Sequence, residues 1–315
     1  MLLHGYEPKG IPRESPWPQN DATPVFLADG FAVAQSAYAS QGWAVTDAIS
    51  DNEQLRAYFW RKYGKPRQTY LVGFSLGGHV AIASLEQHGT YYDGALSLCG
   101  INAPTTRVFD DVLTSLVAFD YFFQNAPGLP GSISDPESSP KGQVAVMEAV
   151  EAALKSDEAS AAILATHSDV SRDGLAGLIS LHYLVLQEML GRAGGMPLDN
   201  LATVYSGFGD DVAFNKGVRR YAGDRNAMRY LSDAGTFTGM TRKPLVLQYN
   251  NNDPTVPKRY NLVYPALAKA ASAQVQPLML PSAGEGHCGF SPDQIREAFT
   301  TLAGWSTSGR RPSGS

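Results

Sequence analysis

Cysteine is nearly absent. The 315 residues hold two, Cys99 and Cys288, too few for a disulfide scaffold or a cysteine-based zinc site. Basic runs are missing as well. The 25 Lys and Arg are outnumbered by 30 Asp and Glu, for a net charge of -5, which argues against nucleic acid and anionic membranes as partners. No uninterrupted apolar run approaches the roughly 18 residues of a membrane-spanning helix. The chain shows no H-E-x-x-H, no Cys/His ligand cluster, no P-loop and no G-x-G-x-x-G opening a helix. Asn250-Asn251-Asn252 lacks the carboxylates that a calcium loop needs. Neither a metal nor a cofactor is expected. Met1-Leu2-Leu3-His4 carries no basic segment or cleavage site of a signal peptide, although so abrupt a start leaves a chain cut short at its N-terminus open, and with it a secreted origin.

What is present is an alternation of strand-like and helix-like segments. Leu2-Leu3 reads as the stub of a strand, and Phe31–Tyr38, Thr69–Val72 and Ala95–Leu98 as three more. Between them Thr46–Tyr63 and His79–Gln87 have helical spacing. After Pro244 the pattern resumes with strands at Leu245–Tyr249 and Val275–Leu280 and a helix over Asn261–Ala273. A final helix has a strong start signal, with Ser291 as N-cap, Pro292 at the first helical position and Gln294 completing a capping box. Beyond Trp305 the Ser/Gly/Arg/Pro tail reads as disordered. Strands alternating with helices predict a parallel sheet covered on both faces. Residues 104–241 break the rhythm, with helical patterns over Gln143–His167 and Leu175–Leu190 and a Gly/Pro-rich gap at Pro127–Gly142. They are expected to form a helical insertion into a domain built from 1–103 and 242–315.

Gly73-Phe74-Ser75-Leu76-Gly77 fits G-x-S-x-G, a weak pattern by itself. Context strengthens it, because a strand runs into the motif and a helix runs out. A serine at so tight a strand-to-helix turn needs small neighbours, which Gly73, Gly77 and Gly78 provide. The turn also puts Ser75 at a helix N-terminus, where free N–H groups favour developing negative charge.

With that motif, the His4-Gly5 turn, Asp253 and His287, the chain resembles the α/β-hydrolase superfamily over residues 1–103 and 242–315. The resemblance implies a mostly parallel sheet with helices on both faces and a helical cap. It also implies a triad in the chain order Ser75, Asp253, His287. The implied oxyanion hole consists of the backbone N–H groups of Leu76, after the nucleophile, and Tyr6, in the turn His4-Gly5-Tyr6. Members of the superfamily have one or two strands before that turn, whereas three residues precede it here, so the N-terminal edge strands are expected to be missing.

The residues support the same assignment independently. A serine hydroxyl needs a base, and histidine suits that role near neutral pH. Among His4, His79, His88, His167, His182 and His287, only His287 sits in a flexible glycine-rich loop directly after the last strand. Asp253 follows the strand before it, in Asn252-Asp253-Pro254-Thr255-Val256-Pro257, where two prolines fix the turn. Asp110 or Asp111 is the alternative acid. The resulting expectation is a serine hydrolase acting on a small-molecule carboxylic ester through an acyl-enzyme. A peptidase or amidase on the same fold, or a silent binding scaffold, is the alternative. In this fold Cys99 and Cys288 come to the same side of the site. That leaves two states open, a disulfide anchoring the histidine loop or a pair of reduced thiols. The cluster Phe119, Tyr121, Phe122 and Phe123 either lines an aromatic-accepting pocket or packs the insertion onto the sheet.

Overall fold

The short apolar runs assemble into one sheet whose five strands all run parallel. In spatial order these are β1 (Leu2–Leu3), β2 (Tyr70–Phe74), β3 (Gly94–Leu98), β4 (Leu245–Gln248) and β5 (Leu278–Met279). The structure is a computed structural model describing residues 1–13, 22–124, 126–129, 132–134 and 142–312. The chain divides into two units, Met1–Pro104 with Gly235–Ser315, and Thr105–Ala234. The first unit holds the sheet together with α1 (Thr23–Ala28), α2 (Val45–Tyr63), α3 (Leu76–His88), a 3-10 turn (Lys258–Leu262), α10 (Val263–Ala270) and α11 (Pro292–Ser308).

Every residue of β2 and β3 is buried, as expected of parallel strands covered on both sides. Successive side chains point to opposite faces. Tyr70, Val72, Phe74, Leu96, Leu98 and Val246 share a core with Phe299, Leu302 and Trp305 of α11. Gly73 and Ser97 face α3 instead, close against Gly77 and Gly78 respectively. The register then sets up one edge of the sheet. Phe74 lies beside Leu98, and Leu98 beside Gln248, so three strands end level. The ladder runs one step further, Ser75 N–H donating to Leu98 O at 3.1 Å and Cys99 N–H to Gln248 O at 2.9 Å. Leu3 pairs with Gly73, which brings the His4-Gly5-Tyr6 turn to the same edge.

Several expectations need correction. Phe31–Tyr38 is not a strand. It makes one parallel bridge, Gln35 to Leu2, with Leu2 N–H donating to Ala34 O at 2.8 Å, because a two-residue β1 offers an outer partner no longer ladder. The last strand shrinks from Val275–Leu280 to Leu278–Met279, and the helix over Asn261–Ala273 opens instead as the 3-10 turn at Lys258 and ends at Ala270. The capping box at Ser291 and Gln294 forms, and α11 continues to Ser308, where Gly309 closes it at φ 66°. Of the tail read as disordered, residues 313–315 lie outside the described residues, as does much of the Pro127–Gly142 gap.

The second unit is helical: α4 (Thr105–Phe122), α5 (Gln143–Ser156), α6 (Glu158–Ser168), α7 (Arg172–Ala193), α8 (Asp211–Gly217) and α9 (Arg225–Asp233). The helix expected over Gln143–His167 is two. Asp157 breaks it by capping α6, its carboxylate accepting from the backbone N–H of Ala159 and Ser160 and the Ser160 hydroxyl. The aromatic cluster fills the core of this unit. Phe119 packs on Phe123 at 5.1 Å between ring centres, Tyr121 on Phe214 at 4.8 Å, and Phe208 stacks on Phe214 at 4.2 Å. Among the described residues, α7 alone is long and apolar enough to cross a membrane by length and composition. Its apolar side chains, including Leu175, Leu178, Ile179, Leu186 and Met189, are buried within the protein. The two ends of the unit touch, the Thr105 hydroxyl donating to Ala234 O.

One buried histidine makes fold stability pH-dependent. His79 on α3 is fully buried, its Nδ1 bonded to Ile101 O at 3.1 Å and its ring 4.4 Å from that of Phe237. Burial disfavours the charged form and pushes its pKa from 6.5 down to about 4. Unfolding returns the ring to water, so the unfolded chain takes up its proton first as pH falls. The associated stability is complete above about pH 6.5, is lost between 6.5 and 4, and stays level below that. Denaturant unfolding at pH 7.5 and 4.5 should therefore show His79→Gln losing about 2–3 kcal/mol less than wild type over that interval. Equal losses would show that the ring is not buried neutral.

Candidate active site

Ser75 sits between β2 and α3 at φ 55° and ψ −125°, a conformation costly for any residue with a β-carbon. The turn is held by its own backbone, with Gly78 N–H donating to Ser75 O at 2.9 Å. It is also too tight for side chains nearby. A β-carbon on Gly73 would lie 1.9 Å from Gly77 O, and one on Gly77 would lie 2.1 Å from Leu3 O. Strand, turn and helix thus approach at backbone contact, and the serine side chain stands clear of them.

His287 reaches it from the loop after β5. Its Nε2 lies 2.9 Å from Ser75 Oγ, and its Nδ1 lies 2.9 and 3.1 Å from the two carboxylate oxygens of Asp253. With a carboxylate on one side, the neutral ring carries its proton on Nδ1, leaving Nε2 to accept from the serine hydroxyl. Asp253 is fixed in turn, Oδ1 accepting from the backbone N–H of Thr255 at 2.8 Å and Val256 at 3.0 Å. Its side chain is 7% exposed against 26% for the histidine, so the carboxylate is shielded and the ring stays accessible. This chain of bonds can draw a proton from Ser75 Oγ onto the imidazole while the carboxylate steadies the charge.

A disulfide joins Cys99 to Cys288, with their α-carbons 5.2 Å apart. It ties the residue after β3 to the residue after His287. Ser75, Cys99, Asn252 and Cys288 account for four of the seven non-glycine residues with positive φ among those described. Backbone strain is therefore concentrated around this site.

The other expected site residues are at the same edge. Leu76 is the first residue of α3 and is buried. Gly5 packs on the serine, since a β-carbon there would lie 3.6 Å from Ser75 Oγ, and Tyr6 follows it. The turn is anchored by His4, whose ring stacks on Tyr38 at 3.8 Å and bonds Gly5 O at 2.9 Å. Burial lowers the pKa of His4, disfavouring the charged ring. Asp110 and Asp111, the alternative acids, lie on α4, where Asp111 pairs with Arg107 at 3.5 Å. The remaining histidines are elsewhere: His79 is buried on α3, His88 ends that helix, His167 packs on Phe208 and His182 bonds Ser115. Among the described residues no group of three or more His, Cys, Asp or Glu is arranged to hold a metal ion. One network carried no signal in the sequence. Ser97 donates to Asn102 at 2.8 Å and Asn102 to Asn261 at 2.9 Å, tying β3 to the segment that follows Asp253.

No family model and no curated protein matches the chain. Similar solved structures include 2-hydroxy-6-oxo-6-phenylhexa-2,4-dienoate hydrolase from Rhodococcus sp. strain RHA1, 14% identical, covering 98% of this chain and 89% of that one at a TM-score of 0.43. A metagenome-derived lipolytic enzyme is 12% identical, covering 98% and 93% at a TM-score of 0.44. A rice cell wall degrading esterase from Xanthomonas oryzae is 14% identical, covering 98% and 80% at a TM-score of 0.40. From the chain's own topology, a parallel sheet with helices on both faces and a strained serine turn between strand and helix, this is an α/β-hydrolase fold.

Proposed function

We propose that the chain is a serine hydrolase that cleaves a small-molecule carboxylic ester through an acyl-enzyme. The observation that carries this reading is the unbroken line of hydrogen bonds from Ser75 Oγ through His287 to Asp253. His287 Nε2 takes the serine proton as Oγ attacks the ester carbonyl, and the carbonyl oxygen becomes an oxyanion. The backbone N–H groups of Leu76 and Tyr6 receive that charge, a contribution of about 3 kcal/mol to the barrier for one such donor. Collapse expels the alcohol, which leaves with the proton held on Nε2. A water then gives its proton to His287 and attacks the acyl carbon. The acid departs and the proton returns to Ser75. The Nδ1 proton stays on the ring throughout, donated in a hydrogen bond to Asp253.

Two measurements on the purified protein test this. A fluorophosphonate probe should label Ser75 and no other residue. The p-nitrophenyl ester and the p-nitroanilide of one acyl group should differ in kcat/KM by at least about a hundredfold in favour of the ester. Labelling elsewhere would remove Ser75 as the nucleophile, and comparable rates would make the enzyme an amidase.

A further inference from the structure

From the last residue of β4 onward, four amide side chains reinforce a backbone pairing that becomes irregular. Gln248 Nε2 donates to Pro281 O at 3.0 Å, Asn250 Nδ2 to Ala283 O at 2.9 Å, Asn251 Nδ2 to Gly284 O at 3.1 Å and Asn252 Nδ2 to Glu285 Oε2 at 3.1 Å. Each bond spans the same separation of 33 residues. The next pair in line is Asp253 with His287, at 34. Backbone pairing becomes irregular here because Asn252, Gly284 and Gly286 have positive φ, at 48°, 69° and 69°, which an extended ladder does not tolerate. Three backbone bonds run beside the amides, Ala283 N–H to Tyr249 O at 3.0 Å, Asn251 N–H to Gly284 O at 3.1 Å and Gly286 N–H to Asn251 O at 2.9 Å.

We propose that Gln248, Asn250, Asn251 and Asn252 are positioning residues that set the acid loop against the base loop and so fix the contact of Asp253 with His287. This rests on the hydrolase reading given above. Burial supports it. Gln248 and Asn250 are 8% and 4% exposed, and their buried side-chain oxygens have no hydrogen-bond partner, so these amides sit there at a cost in free energy, against which stand the bonds their NH2 groups make to the histidine loop. Apolar residues would pack a strand end at lower cost, but would remove the side-chain donors to Pro281 O and Ala283 O and the second donor to Gly284 O. The loop is then held on both sides of His287, by the amides through Glu285 and by the disulfide at Cys288. A catalytic ring bonded at both nitrogens needs that restraint, because small displacements of either partner cost rate.

Asn251→Ala removes the side-chain donor and its bulk, while Asn251→Leu removes the donor and keeps the shape. Both should lower kcat about tenfold with KM within about twofold. Both should also weaken the downfield proton resonance of the His287 Nδ1–H···Asp253 bond. Asn252→Gly keeps the backbone comfortable at φ 48° and serves where an Asn251 variant fails to fold. It should lower kcat about threefold, its amide being exposed. Wild-type kcat and an unchanged resonance in Asn251→Leu would overturn the positioning role, since packing alone would then suffice. The resonance is read on the free protein, so it judges the amides even if Ser75 is inert. An unlabelled Ser75 would overturn the hydrolase reading instead.

Discussion

Ser75→Ala is expected to lower kcat by about a hundred-thousandfold while leaving thermal unfolding within about 1 kcal/mol of wild type. The rate loss is large because the hydroxyl is the group that forms the covalent bond, and among the described residues no other hydroxyl lies at hydrogen-bond distance from His287 Nε2. The stability change is small because alanine carries the same β-carbon as serine at φ 55°, so the backbone strain there is unchanged. The oxyanion donors are backbone groups and survive the substitution, so a trace of activity above water should remain. Full activity in the variant would move the nucleophile elsewhere. A collapsed melting transition would mean that the hydroxyl serves the fold rather than the reaction.

Reduction of the Cys99–Cys288 bond should affect both stability and rate. The bond spans 189 residues, and on chain-entropy reasoning a loop of that size corresponds to about 5 kcal/mol, of which native strain usually removes part. Unfolding of the protein with and without tris(2-carboxyethyl)phosphine, and of Cys288→Ser, should therefore show losses of about 3–5 kcal/mol. The rate should fall too, by roughly tenfold, because the histidine loop loses one of its two tethers. An unaltered melt and an unaltered kcat after confirmed reduction would leave the bond without a role. Such a bond persists in oxidising compartments and opens in reducing ones, so activity should follow the redox poise of the medium.

The parts of the site legible in the chain are those where chemistry and local geometry coincide. Gly73, Gly77 and Gly78 around Ser75 mark a close approach of backbone that only a strand-to-helix turn requires. Asp253 and His287 each follow a strand and sit in a turn stiffened by proline or loosened by glycine. Elsewhere the physical signal is ambiguous. Asp157 interrupts a helical pattern without disturbing its period, and a capping carboxylate reads there like a surface charge. Phe119, Tyr121, Phe122 and Phe123 belong to α4 and to a core that forms only after distant segments such as Phe208 and Phe214 arrive. α1, α4, α8 and α9 have no counterpart among the sequence expectations, α1 and α8 being six and seven residues long, too short to show a period. The amide run at Asn250–Asn252 reads as a polar turn because its partners lie 33 residues ahead. A pairing at that distance leaves no trace in local composition.

The hydrogen bond between Thr105 and Ala234 closes the helical unit at its base. For the sheet, the excursion from β3 to β4 then behaves as a short turn rather than a long loop. The entropy of bringing the two strand ends together is met within the helical unit as it folds, so the sheet need not supply it. Changes of length or sequence inside that unit leave the span presented to β3 and β4 unaltered so long as its two ends stay joined. The five strands are thereby insulated from changes of length within the helical unit.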